Sequence, residues 1–126
     1  MGATGALGQA FRNPEIFKVV GAHSPSLPED DNSRPFLGTG PGFERRDPLA
    51  LAAVRPRLND LSIWIDVGDE DLWLNRVQLL DEVLTLRSTD HEFQVFRGDH
   101  DGDYWSSHVA EYLRFYDRAL NPDRRL

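Results

Sequence analysis

Two short acidic segments hold the residues best suited to chemistry. Asp69, Glu70 and Asp71 follow an apolar run ending at Val67, and Asp99, His100, Asp101 and Asp103 follow one ending at Phe96. A carboxylate that bonds an imidazole fixes its tautomer and raises its basicity. A carboxylate from the first segment beside His100 would make two-thirds of an acid–base–nucleophile triad. The plain alternative is that both segments are solvated turns, since Asp and Gly are ordinary turn residues. On composition alone that alternative is favoured.

The same residues admit a metal reading. Asp99, Asp101 and Asp103 have the i, i+2, i+4 spacing of a calcium loop. The match stops there, because the sixth position is Tyr104 rather than Gly and the twelfth is Ala110 rather than Glu. The preceding segment also reads as a strand where an EF-hand has a helix. A calcium-binding acidic loop is therefore the weakest of the alternatives. The other histidines are less specific. His108 falls on an apolar helical face and reads as packing, and His23 ends an apolar run where packing again outweighs a pocket role. His91 opens a strand. Serines stand at 24, 26, 33, 62, 88, 106 and 107, none within Gly-x-Ser-x-Gly, so no internal nucleophile stands out.

Composition narrows the classes. The chain has 126 residues, 14 Lys+Arg against 21 Asp+Glu, and a formal net charge of −7. That length suits one domain. A pI near 4.9 argues against nucleic acid, whose phosphates need a basic face. No apolar run approaches the roughly 18 residues of a membrane span, and Met1–Ala10 has no signal-peptide pattern. Cysteine is absent, which removes disulfides, thiolate zinc sites and a thiol nucleophile. Lys18 is the only lysine, so lysine chemistry has one residue to draw on. Nothing implies a cofactor or a metal.

The elements that must position these residues alternate. Gly2–Asn13 has small and apolar residues at helical spacing, and its three glycines suggest close packing on a neighbour, since glycine is otherwise costly in a helix. Phe17–His23 is β-branched and apolar, a buried strand. Residues 25–46 are proline-rich and aperiodic, a long variable loop over the active-site edge. Asp47-Pro48 is an N-cap with proline at the first helical position. Leu61–Val67 alternates as a strand, and Leu72–Arg87 is helical, with Trp73, Val77, Leu80 and Leu84 on one stripe. Glu92–Phe96 is a strand. Tyr104–Leu120 is an amphipathic helix with Trp105, Val109, Tyr112, Leu113 and Tyr116 inward, and residues 121–126 are a polar tail. Alternating strands and helices predict a parallel α/β sheet, with about three strands, four or five helices and a single domain over residues 1–126. In such sheets ligands collect beyond the carboxyl ends of the strands, where both acidic turns lie.

These features in this order resemble one family. Met1-Gly2-Ala3-Thr4-Gly5-Ala6-Leu7 resembles the segment directly after the nucleophile serine in the α/β-hydrolase esterase family that includes S-formylglutathione hydrolases, feruloyl esterases and enterochelin esterases. Met1 and Gly2 would be the last two positions of its Gly-x-Ser-x-Gly elbow. The similarity continues through the first strand, the long loop and the Asp47-Pro48 helix. It then takes in Gly68-Asp69-Glu70-Asp71 as Gly-x-x-Asp, and Gly98-Asp99-His100 as Gly-x-His with Trp105 five residues on. It covers residue 1 to about 118.

The resemblance implies the carboxyl-terminal part of an α/β-hydrolase fold, with an ester or thioester as the small-molecule substrate. Asp71 would be the triad acid and His100 the general base, with Asp69 and Asp66 as fallback acids. The backbone N–H of Met1 would be an oxyanion donor in a chain extended upstream, and the nucleophile serine would lie one residue before Met1. This stretch alone would then have no triad-dependent activity. It would expose the edge of its first strand, be marginally stable, and be prone to self-association or to pairing with an amino-terminal half.

Overall fold

A computed structural model describes residues 2–28 and 38–125. Helix α1 spans Gly2–Arg12, and a single turn, α2, Pro14–Phe17. Strand β1 spans Val19–His23, followed by the one-turn α3, Pro41–Glu44, and α4, Pro48–Val54. Strand β2 is Ser62–Gly68, α5 Leu74–Leu86, and β3 Glu92–Phe96. Two helices close the chain, α6 at Gly102–Ser107 and α7 at Val109–Leu120. The seven α-helices among the described residues exceed the four or five expected, because α2 and α3 are single turns and the last helix is split.

The three strands form one parallel sheet in the order β1-β2-β3. His23 lies opposite Asp66, and Gly68 opposite Phe96. This register brings the turns after β2 and β3 out at the same carboxyl edge. Helices cover both faces of β2. On one face Ile63, Ile65 and Val67 pack with Leu7 and Phe11 of α1, Leu49 and Ala52 of α4, and Val77, Leu80 and Leu84 of α5. On the other, Trp64 packs with Tyr112 and Phe115 of α7.

The strand expected at Leu61–Val67 thus has a packed layer on each side. Residues 63–68 are buried on both faces, as expected of a central parallel strand. The expected Tyr104–Leu120 helix breaks at His108, whose backbone (φ −117°, ψ 11°) leaves the helical region. Tyr104, Tyr112 and Phe115 turn inward, while Val109 and Leu113 are exposed. The glycines of α1 also differ from expectation. Gly8 lies 3.4 Å, as a Cβ, from the Arg46 carbonyl, but Gly2 and Gly5 face open space. Their side of α1 borders a groove of about 420 Å³ that Ala6, Ala10, Phe17, Val20, Gly21 and Tyr116 line beside β1. Among the described residues, β1 pairs with β2 alone. Residues 29–37 of the loop expected at 25–46 lie outside the described residues.

Helix α4 begins as its sequence dictates. Asp47 is buried, and its carboxylate accepts the Leu49 N–H at 3.2 Å. Burial raises this carboxyl above its ordinary 3.8, against the lowering effect of the Leu49 and Ala50 N–H groups and Arg76. A carboxyl raised in the folded state contributes stability at low pH that fades as pH rises through its folded value. Asparagine caps as well as aspartate and carries no charge. Asp47→Asn should therefore gain on the wild type in thermal melts as pH rises from 3 to 7, whereas Asp47→Ala should lose about 1 kcal/mol.

Candidate active site

The turn after β2 and the turn after β3 are clamped to one another. The Asp69 N–H donates to the Phe96 carbonyl at 2.8 Å and the Glu70 N–H to the Gly98 carbonyl at 2.8 Å. The Gly98 N–H donates back to Asp69 Oδ1 at 3.0 Å. Two glycines permit this approach. A Cβ on Gly68 would overlap the Gly98 carbonyl, and Gly98 has φ +134°, a conformation L side chains rarely adopt.

Asp71 and His100 meet across this clamp. His100 Nδ1 is 2.9 Å from Asp71 Oδ2, and the Asp71 side chain is fully buried while that of His100 is 32% exposed. Asp71 Oδ1 accepts the Trp73 N–H at 2.8 Å, which orients the carboxylate ahead of α5 and leaves Oδ2 to the imidazole. An ionised carboxylate only accepts, so Nδ1 carries the proton and Nε2 keeps its lone pair. No hydrogen bond to Nε2 is formed among the described residues, nor does any serine hydroxyl there reach His100. Asp99 Oδ1 accepts the His100 N–H at 2.7 Å. The Trp105 ring stands edge-on to the imidazole, centroids 5.2 Å apart.

The other candidate acids are committed elsewhere. Asp69 holds the Gly98 N–H. Asp66 is fully buried and has four donors. Oδ1 is approached by Trp64 Nε1–H at 2.8 Å and His23 Nδ1 at 2.7 Å, and Oδ2 accepts the hydroxyls of Tyr104 at 2.6 Å and Tyr112 at 2.9 Å. A carboxylate has about four lone-pair sites, so nothing remains for a second imidazole. His23, with its proton on Nδ1, accepts the Tyr116 hydroxyl on Nε2 at 2.8 Å and stacks on Tyr112 at 3.7 Å.

Met1 lies outside the described residues. The calcium spacing is used structurally: Asp99 holds the His100 N–H, and Asp101 caps α6 by accepting the Tyr104 N–H at 2.9 Å. No group of three or more His, Asp or Glu able to hold a metal occurs among the described residues. His108 stacks on Phe96 at 4.0 Å. Sequence reasoning missed two things here. His91 is held by Asp81 at 2.6 Å and the Thr89 carbonyl at 2.8 Å, and the phenols of Tyr104 and Tyr112 converge on Asp66. The only signal for the latter was three tyrosines confined to the last helical segment.

Those three are all the tyrosines of the chain. Burial raises each phenol above 10.0, and the neighbouring Asp66 charge adds to it. Groups raised in the folded state stabilise it fully below their unfolded value, and the gain is lost as pH rises above about 10. Phenolate absorbance should therefore rise in step with loss of far-ultraviolet dichroism above pH 10. Phenolate forming well ahead of unfolding would contradict the buried network.

Comparison with known proteins places this geometry. Similar solved structures include a ferulic acid esterase, matched at 22% identity and TM-score 0.80 over 94% of this chain and 48% of that one. An S-formylglutathione hydrolase (FrmB) from Staphylococcus aureus matches at 18% identity and TM-score 0.70, over 91% and 47% of the two chains. The fluorophosphonate-binding serine hydrolase FphF from the same organism, in a substrate-bound structure, matches at 16% and 0.68, over 90% and 50%. At these identities the likeness is one of fold, that of α/β-hydrolase-like esterases. The chain spans about half the length of each. Comparison with curated proteins gave no match. The family model described as "Putative esterase" matches residues 1–116, and the chain belongs to that esterase family.

Proposed function

We propose that this chain supplies the acid–base part of a serine esterase that cleaves a carboxylic ester or thioester through an acyl-enzyme. The observation that carries the reading is the Asp71–His100 pair, a buried carboxylate 2.9 Å from Nδ1 of a partly exposed imidazole. Family membership supports it.

In this mechanism His100 Nε2 takes the proton of a serine hydroxyl as the oxygen attacks the acyl carbonyl. It returns that proton to the leaving alcohol or thiol, and then activates water to release the acid. Asp71 keeps the proton on Nδ1 and stabilises the imidazolium that forms. The serine would be the residue before Met1 in a longer protein, and the Met1 backbone N–H would donate to the oxyanion.

The test extends the reading frame upstream. A Gly-x-Ser should be encoded directly before Met1, and its absence would remove the mechanism. In the longer protein His100→Ala and Asp71→Ala should each lower p-nitrophenyl ester turnover by on the order of 10⁴–10⁶. Near wild-type turnover in either variant would refute the assignment. The 126-residue polypeptide alone should show no hydrolysis that depends on His100.

A second reading rests on the sheet edge. The side of β1 that has no strand partner among the described residues, with exposed Ile16 and Phe17 and the apolar groove beside it, favours pairing with a further strand from an amino-terminal half or another copy. Size-exclusion chromatography with light scattering should find the 126-residue polypeptide associated. A soluble monomer at micromolar concentration would count against self-association.

A further inference from the structure

The buried Asp66 carboxylate lies outside the acid–base pair, yet one of its four donors touches the turn that carries His100. Tyr104 donates its hydroxyl to Asp66 Oδ2 at 2.6 Å. The same ring lies against the Gly98 α-carbon, where a Cβ would sit 2.9 Å from Tyr104 Cδ2. Gly98 is thus held between the Tyr104 ring on one side and the Gly68 backbone on the other. Its carbonyl accepts the Glu70 N–H and its N–H donates to Asp69. Two residues beyond Gly98 stands His100, bonded to Asp71. Tyr104 is also tied to this turn from its other end, since its backbone N–H donates to Asp101 Oδ1.

We infer that Asp66 is a positioning residue for His100 and acts through Tyr104. The carboxylate fixes the phenol, the ring fixes the Gly98 turn, and the turn sets the imidazole against Asp71. Tyr112 supplies an internal comparison. It donates to the same Oδ2 at 2.9 Å, but it belongs to α7, and its ring contacts are with His23, Trp64 and His108 rather than with the turn. Removing either hydroxyl takes one donor from one oxygen, and only one of the two rings bears on Gly98. The catalytic meaning of this arrangement rests on the esterase reading. The positioning itself is a matter of geometry and is tested without activity.

The experiment is proton NMR of the 126-residue chain. The Nδ1 proton that His100 shares with Asp71 should give a low-field resonance, identified by its loss in His100→Gln. Tyr104→Phe removes only a hydroxyl and should still fold. It should raise the exchange rates of the His100 Nδ1 proton and the Glu70 amide about 2–10-fold, the range one hydrogen bond supports in an opening equilibrium. Tyr112→Phe should leave both rates within error of the unsubstituted protein. Equal effects from the two variants, or none from Tyr104→Phe, would overturn the inference while the Asp71–His100 pair stands. If the unsubstituted chain lacks the His100 resonance, the pair itself is wrong and the inference falls with it.

Discussion

A buried charge must be answered by donors, and at Asp66 the answer organises the carboxyl half of the sheet. The carboxylate is fully buried. Left unpaired it would cost several kcal/mol in desolvation, so its position is tolerable only with every lone pair used. The four donors come from four different elements. His23 ends β1, Trp64 belongs to β2 itself, Tyr104 to α6 and Tyr112 to α7. Neither closing helix can slide along the sheet without stripping a donor from the charge. Dispersion and apolar burial hold α7 to Trp64 through Phe115, but those forces are non-directional. The hydrogen bonds choose the register in which that packing occurs. Gly21 belongs to the same constraint, because a Cβ there would overlap the Tyr116 hydroxyl that His23 accepts.

The contrast between Asp66 and Asp71 explains how two buried carboxylates five residues apart take different parts. Asp66 has both oxygens filled, by an indole and an imidazole on one and by two phenols on the other. Asp71 spends one oxygen on the Trp73 N–H and gives the other to His100. A carboxylate with one oxygen committed to backbone is rigidly aimed, yet it keeps acceptor capacity for a partner whose charge can change. Asp71 is therefore suited to stabilising an imidazolium, and Asp66 to anchoring structure. The imidazole is partly exposed, while the carboxylate that holds its Nδ1 is fully buried.

Much of this was legible in the sequence, and the failures have physical causes. Strand–helix alternation put the two acidic turns at the same end of a parallel sheet, and the family resemblance then singled out Asp71 as the partner of His100. The Asp47-Pro48 cap was visible because its chemistry is local. Asp66 was visible only as a fallback acid. Its donors stand 38 and 46 residues away in Tyr104 and Tyr112, and no local pattern encodes a phenol's distant acceptor. The alternation of Ser62, Trp64 and Asp66 with apolar residues marked a strand and did not tell what covers that face. Here the polar face is buried, with its aspartate satisfied by the layer above. The break at His108 was invisible for a similar reason. No glycine or proline marks it, and the residue leaves the helix while its ring stacks on Phe96. The tertiary contact and the broken backbone occur together, and neither has a local sequence signal.

The contacts that set Asp71 against His100 all run among residues 66–104. The clamp joins the turns after β2 and β3, and the anchor beneath it joins β2 to α6. From β1 the cluster takes only His23, which meets Asp66 on Oδ1, the oxygen that Tyr104 does not use. The Asp71–His100 pair is therefore built on the side of the sheet away from the edge of β1 that has no partner among the described residues. A strand laid along that edge would add a sheet neighbour without entering the hydrogen bonds that aim the imidazole. The geometry of the Asp71–His100 pair is tied instead to one buried carboxylate and two glycines, none of which lies on β1.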